Sequence, residues 1–180
     1  MRQNLISLSL CIVLLMVACS SGNRNDGRAI SERLVKTAVV DSAFVSQLIM
    51  GLDTLMAPEI FGRDFAMTIV SEVERDTVLN GKELNKRIML LKRNFEKYRG
   101  EKYYERFAEG VQSYVGALPL EKEMRLYVNL STPAQLGTAL RIDRYRHPHD
   151  SVKIAEKVKI VSKIYNDVEY ASFLKYYNRK

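Results

Sequence analysis

The chain has 180 residues, a net charge of +7, two cysteines and no tryptophan. Cys11 and Cys19 both stand near the amino terminus, so residues 20–180 contain no thiol. This excludes disulfides, cysteine-ligated zinc and a cysteine nucleophile from the folded part, which has the length of one domain with a proper core.

Arg2 precedes an apolar stretch from Leu5 to Val17, interrupted by Ser7, Ser9 and Cys11. Its length fits the roughly 7–15 residues of a signal-peptide core. As a helix it would cover only about 20 Å of a hydrocarbon layer about 30 Å thick, so it is too short to span. Leu15-Met16-Val17-Ala18-Cys19 closes the stretch with small residues directly before a cysteine. This resembles the lipobox of bacterial lipoprotein signal peptides, with Met16 departing from the more usual leucine, and the resemblance covers residues 1–19 only. It implies that residues 1–18 are removed, leaving a net charge of +6 once Arg2 is gone. It also implies a diacylglyceryl thioether on the Cys19 sulfur and an acyl group, such as palmitate, on its amino terminus. At about 0.8 kcal/mol per buried methylene, several such chains make a permanent membrane anchor.

Residues 19–28 comprise that cysteine and a tether, Ser-Ser-Gly-Asn-Arg-Asn-Asp-Gly-Arg, without an apolar residue. A random coil of this length reaches roughly 15–20 Å. In the lipoproteins that the leader resembles, a serine after the cysteine goes with sorting to the outer membrane. A dense acidic run, the surface-export signal in some lineages, is absent here, so the expected address is the periplasmic face of the outer membrane.

The domain is expected over residues 29–180. Leu34, Ala38, Val45, Leu48, Leu52 and Leu55 recur at helical spacing and predict one helix between Ile30 and Met56, with Asp41 its polar member. Gly51 marks an early end and Pro58 closes the segment. Phe61, Phe65, Ile69 and Val73 step by four and favour a second helix, although Phe65, Met67, Ile69 and Val73 also suit an alternating strand. Asn80 with Glu83 resembles a capping box ahead of Leu84, Ile88, Leu91, Phe95 and Tyr98, and Gly100 stops that stripe. Tyr104, Phe107, Val111, Tyr114 and Leu118 form a fourth helix, ended by Pro119. Between 120 and 130 the pattern suits a helix and also a short strand near 124–130. Thr132-Pro133-Ala134-Gln135 caps a helix to about Tyr145. His147-Pro148-His149 breaks it, Asp150 or Ser151 restarts one, and Asp167 caps a last short helix. The prediction is an all-α, irregular domain of about seven helices.

Positive charge collects late, at Arg141, Arg144, Arg146, Lys153, Lys157, Lys159, Lys163, Lys175, Arg179 and Lys180, and all ten tyrosines lie from Tyr98 onward. Behind a secretory leader, such a surface suits anionic lipid or polymer better than nucleic acid. His147 and His149 are candidate metal ligands that no cysteine or carboxylate pair completes. Glu101, Glu105 and Glu109 share one helix face, the arrangement of a solvated stripe. No hydrolase, metalloprotease, P-loop or dinucleotide motif occurs. The reading is a non-enzymatic, cofactor-free envelope lipoprotein whose helical domain binds a protein partner or an anionic envelope component. The alternative is a cell-wall or glycan-acting enzyme using clustered glutamates.

Overall fold

The computed structural model describes residues 27–179, and the leader, the lipobox and Cys19 lie outside the described residues. Those described form nine α-helices and one short 3-10 turn, with no strand among them, as an all-α domain requires. Helix α1 covers residues 27–36 and includes Gly27 and Arg28, the end of the expected tether. It is followed by α2 (Ser42–Gly51), α3 (Pro58–Glu74), α4 (Gly81–Arg99) and α5 (Glu101–Gly116). Helices α6 (Leu120–Leu130) and α7 (Pro133–Arg146), the turn Pro148–Asp150, α8 (Ser151–Ile164) and α9 (Asp167–Tyr177) complete the order.

Two elements raise the number above seven. The stripe from Ile30 to Met56 is two helices, because Asp41 adopts an extended backbone and its carboxylate accepts the Phe44 N–H at 2.8 Å. An aspartate at that position satisfies a donor that a new helix leaves open, and this outweighs continuation of the apolar pattern. The second is α6. Met124 and Leu126 are both buried although they lie on opposite sides of the helix: Met124 enters the core under α7–α9, while Leu126 lines a concavity together with Val70 and Val73 of α3. Cover on two sides produces the alternation that resembled a strand.

Helix ends follow local chemistry with two corrections. Pro58 opens α3 rather than closing the preceding segment, since a missing N–H costs nothing in a first turn. Asn166, not Asp167, caps α9, in a full capping box with Glu169. Thr132 and Gln135 form the predicted box on α7, Asn80 accepts the Glu83 N–H at 3.1 Å, and α4 ends before Gly100 at φ +94°.

The described residues pack as two compact units, 27–68 with 87–112 and 69–86 with 113–179, and the sequences of α3, α4 and α5 contribute to both. In the first unit, Phe107 is the hub of an aromatic core, its ring centroid 5.3–5.6 Å from those of Phe61, Phe65 and Phe95. Phe61 meets Phe95 edge-on at 5.9 Å, an arrangement that sets ring edge against ring face. Helices α3 and α5 touch backbone to backbone at Gly62 and Gly110: a Cβ on either would overlap the carbonyl of Phe107 or Glu59, respectively.

Two arginines twelve positions apart on α4 close the ends of the preceding helices. Arg87 is buried and donates to the carbonyls of Leu34 and Val35, each at 2.8 Å. Arg99 donates to Ile49 O at 2.8 Å and to Leu52 O. The last carbonyls of a helix have no partner within it, and a guanidinium offers several donors in one plane.

The second unit is built on Met124, Leu136, Leu140, Val161, Tyr165 and Phe173. Phe173 lies between Tyr170 and Tyr177, nearly parallel to both, at 5.9 and 5.6 Å. Gly137 lets α7 approach α9 closely, since a Cβ there would press on the Phe173 carbonyl.

Candidate binding surface

The surface with the most accessible chemistry lies on α7 and α9 of the second unit. Thr138, Ala139, Ile142 and Tyr145 fall on the side of α7 away from the buried Leu136 and Leu140, with Ile142 39% and Tyr145 65% exposed. Tyr176 of α9 joins Ala134, Gln135, Thr138, Ala139 and Ile142 in a shallow apolar strip of about 440 Å³. Cations border it. The Arg144 guanidinium lies 4.6 Å from the Tyr177 ring and 5.6 Å from the Tyr145 ring, and Arg141 donates to Arg179 O at 3.2 Å. Arg146, Lys175 and Arg179 are exposed. Arg144, Arg146 and Lys175 stand in last turns, where a cation also complements the helix dipole.

The structure separates the basic residues that the sequence grouped. Lys157 is largely buried and paired with Glu123 at 3.2 Å, while Lys153, Lys159 and Lys163 lie on the exposed side of α8. The tyrosines divide as well: Tyr165 is buried, Tyr127, Tyr170 and Tyr177 pack around the same core, and Tyr98 and Tyr145 are exposed.

His147 ends α7 through its backbone N–H, which donates to Asp143 O at 2.8 Å, and His149 sits in the 3-10 turn; both are exposed. Among the described residues no three His, Cys, Asp or Glu side chains come together as a metal site. Glu101, Glu105 and Glu109 are exposed along α5. Glu59, which sequence reasoning passed over, is held below the usual carboxylate range by its own backbone hydrogen bond and then by Arg106. A general acid needs the opposite shift.

A second concavity of the same unit, about 380 Å³, lies between α3 and α6. Val70, Val73, Pro119 and Leu126 give it apolar walls, and the Lys122–Glu74 and Arg125–Glu121 pairs stand at its edge. Each of these cations already has a carboxylate, so the groove offers less charge to a ligand than the α7–α9 face does.

Burial pushes the Tyr165 hydroxyl up to about 12, and Glu169 adds to the effect. Because a free tyrosine ionises near 10, the unfolded chain loses this proton first as pH rises. The resulting stability is complete below about pH 10 and declines as pH rises toward about 12. The Tyr165 Oη has no hydrogen-bond partner among the described residues. Tyr165→Phe should therefore be neutral or slightly stabilising at pH 7 and should weaken the alkaline loss, as read from urea midpoints at pH 7 and about 10.5. A wild-type slope in the variant would contradict this.

Comparison of the chain with protein-family models, curated protein sequences and solved structures gave no match.

Proposed function

We propose that the chain is a membrane-anchored, non-enzymatic envelope lipoprotein, lipidated at Cys19 and held at the periplasmic face of the outer membrane. Its helical domain binds a protein partner or an anionic envelope component. The lipobox-like segment before Cys19 supports the anchor. The binding role is carried by one observation: the exposed cations Arg146, Lys175 and Arg179 stand on or next to the same two helices, α7 and α9, that form the apolar strip, which favours an anionic component. Cations attract a phosphate- or carboxylate-bearing surface, while Ile142, Tyr145 and Tyr176 supply area that loses water on contact.

Radiolabelled palmitate should enter the wild type and fail to enter Cys19→Ala; label retained by the variant would refute lipidation at that residue. Binding is tested with the detergent-solubilised full chain on an immobilised anionic polysaccharide. At about 1 kcal/mol per cation near an anionic surface, the variant Arg146→Gln/Lys175→Gln/Arg179→Gln should bind about 100-fold more weakly. Equal binding of variant and wild type would overturn the anionic reading. Cross-linking from Tyr145 to one recurring protein in native membranes would establish the protein partner instead.

A further inference from the structure

The first unit displays apolar side chains at the corner between α2 and α3. Met50 in the last turn of α2 is 58% exposed, Leu55 in the connection 83%, and Ile60 in the first turn of α3 48%. Exposed apolar residues scattered over a surface are ordinary, and Val39, Val78, Val152 and Val168 are others here, but Leu55 and Ile60 stand five positions apart at one helix corner. The corner is held in shape. The Asp53 carboxylate accepts the Leu55 N–H at 2.8 Å and its carbonyl accepts the Met56 N–H at 3.1 Å. Leu52 and Met56 turn inward and are buried, which leaves Leu55 outside.

Gly27 packs against this corner. A Cβ on Gly27 would fall under 3 Å from the Met56 sulfur and 3.1 Å from an Asp64 carboxylate oxygen, so Gly27 lies against the residue next to Leu55. Cys19 precedes Gly27 by eight positions. Even fully extended, that length reaches only about 28 Å at about 3.5 Å per residue, so Gly27 lies within that distance of Cys19. The corner is therefore never far from an anchor at Cys19, and Arg28 and Arg63, exposed on α1 and α3, add positive charge to the same unit.

We propose that the α2–α3 corner is a bilayer-contacting surface, with Leu55 and Ile60 seated at the acyl boundary of the membrane that holds the Cys19 lipid. This rests on the lipoprotein reading. The tether keeps the corner within reach of the membrane, and side chains of this kind enter the headgroup–acyl boundary by about 5–10 Å. The contact orients the first unit relative to the bilayer.

The absence of thiols after Cys19 makes the test direct. Leu55→Cys and Ile60→Cys are introduced separately into the full chain, labelled with an environment-sensitive fluorophore, and reconstituted in vesicles of phosphatidylethanolamine and phosphatidylglycerol. Val168→Cys on α9 is the control, and far-UV circular dichroism confirms that each variant is folded. Palmitate incorporation is measured on the same samples. The expected result is blue-shifted emission at 55 and 60, lost when spin-labelled lipid is included, with neither effect at 168. Water-like emission at 55 and 60 in a palmitate-bearing chain overturns the inference and leaves the lipoprotein reading standing. Blue-shifted emission that lipid-borne spin labels do not quench indicates a second copy over the corner and also overturns it. A chain that takes up no palmitate removes both readings together.

Discussion

Gly110→Ala is expected to destabilise the protein by about 3 kcal/mol or more, the upper part of the range for forcing atoms into a packed interior. The added methyl group would overlap the Glu59 carbonyl on α3. That oxygen belongs to backbone in a helix and cannot swing aside as a flexible side chain would, so α3 and α5 must separate. Separation would loosen the Phe61–Phe107 and Phe65–Phe107 contacts, which stand at 5.5 and 5.6 Å. Gly62→Ala meets the Phe107 carbonyl at the same crossing and should behave alike. Gly51→Ala is the matched control: nothing lies within 4 Å of its added carbon, and alanine is favoured over glycine in a helix by about 1 kcal/mol. For a chain of this size, 1 kcal/mol corresponds to about 2–4 °C in Tm. The Gly110 variant should thus melt about 6–12 °C lower, while the Gly51 variant stays level or rises. A Gly110→Ala protein with the wild-type midpoint would show that the crossing yields without cost.

Phe173→Ala should cost about 3–5 kcal/mol, a large share of the 5–15 kcal/mol that holds a typical domain together. Phe173 is fully buried, and its ring is stacked by Tyr170 and Tyr177 and faced by Tyr165 at 6.3 Å. Truncation removes the filling of the second unit and leaves a cavity that three tyrosines cannot all collapse into while α7 and α9 stay in contact at Gly137. The chain has no tryptophan, so its ten tyrosines, seven of which lie in the second unit, give the emission signal in a urea titration. Phe173→Leu, which retains most of the volume, should cost far less. Equal losses from the two substitutions would show that ring stacking, rather than filled volume, carries the effect. The α7–α9 surface depends on this packing, because Arg144 rests on Tyr177. Phe173→Ala should therefore weaken binding to the anionic polysaccharide even at temperatures where the protein remains folded.

Helices whose signals are local were legible in the sequence. The Thr132–Gln135 box, Gly100 and the stripe from Leu84 to Tyr98 need only neighbours a few positions away, and each appears where the spacing puts it. Two of the misreadings share a cause. Asp41 fits a stripe by spacing but acts as a cap, and the alternation around Met124 reflects two separate partners. In both cases the deciding group is a backbone donor or a packed face that periodicity does not record.

The candidate surface was less legible. Sequence identified a basic, tyrosine-rich second half, but it could not distinguish Lys157, largely buried against Glu123, from the exposed Lys175. Nor did it signal that Ile142 would meet Tyr176 at the surface, or that Arg87 and Arg99 would be consumed in closing helices.

By itself the sequence determined the helical class, the absence of thiols after Cys19 and the lipobox-like segment that motivates the anchor, because composition and short-range spacing carry those directly. Tertiary structure alone decided where the helices break, which cations and tyrosines reach solvent, and that Leu55 is exposed beside Met56, which packs on Gly27. Those outcomes depend on groups brought together across tens of residues, where burial and the pairing of backbone carbonyls outweigh the preference of any single residue.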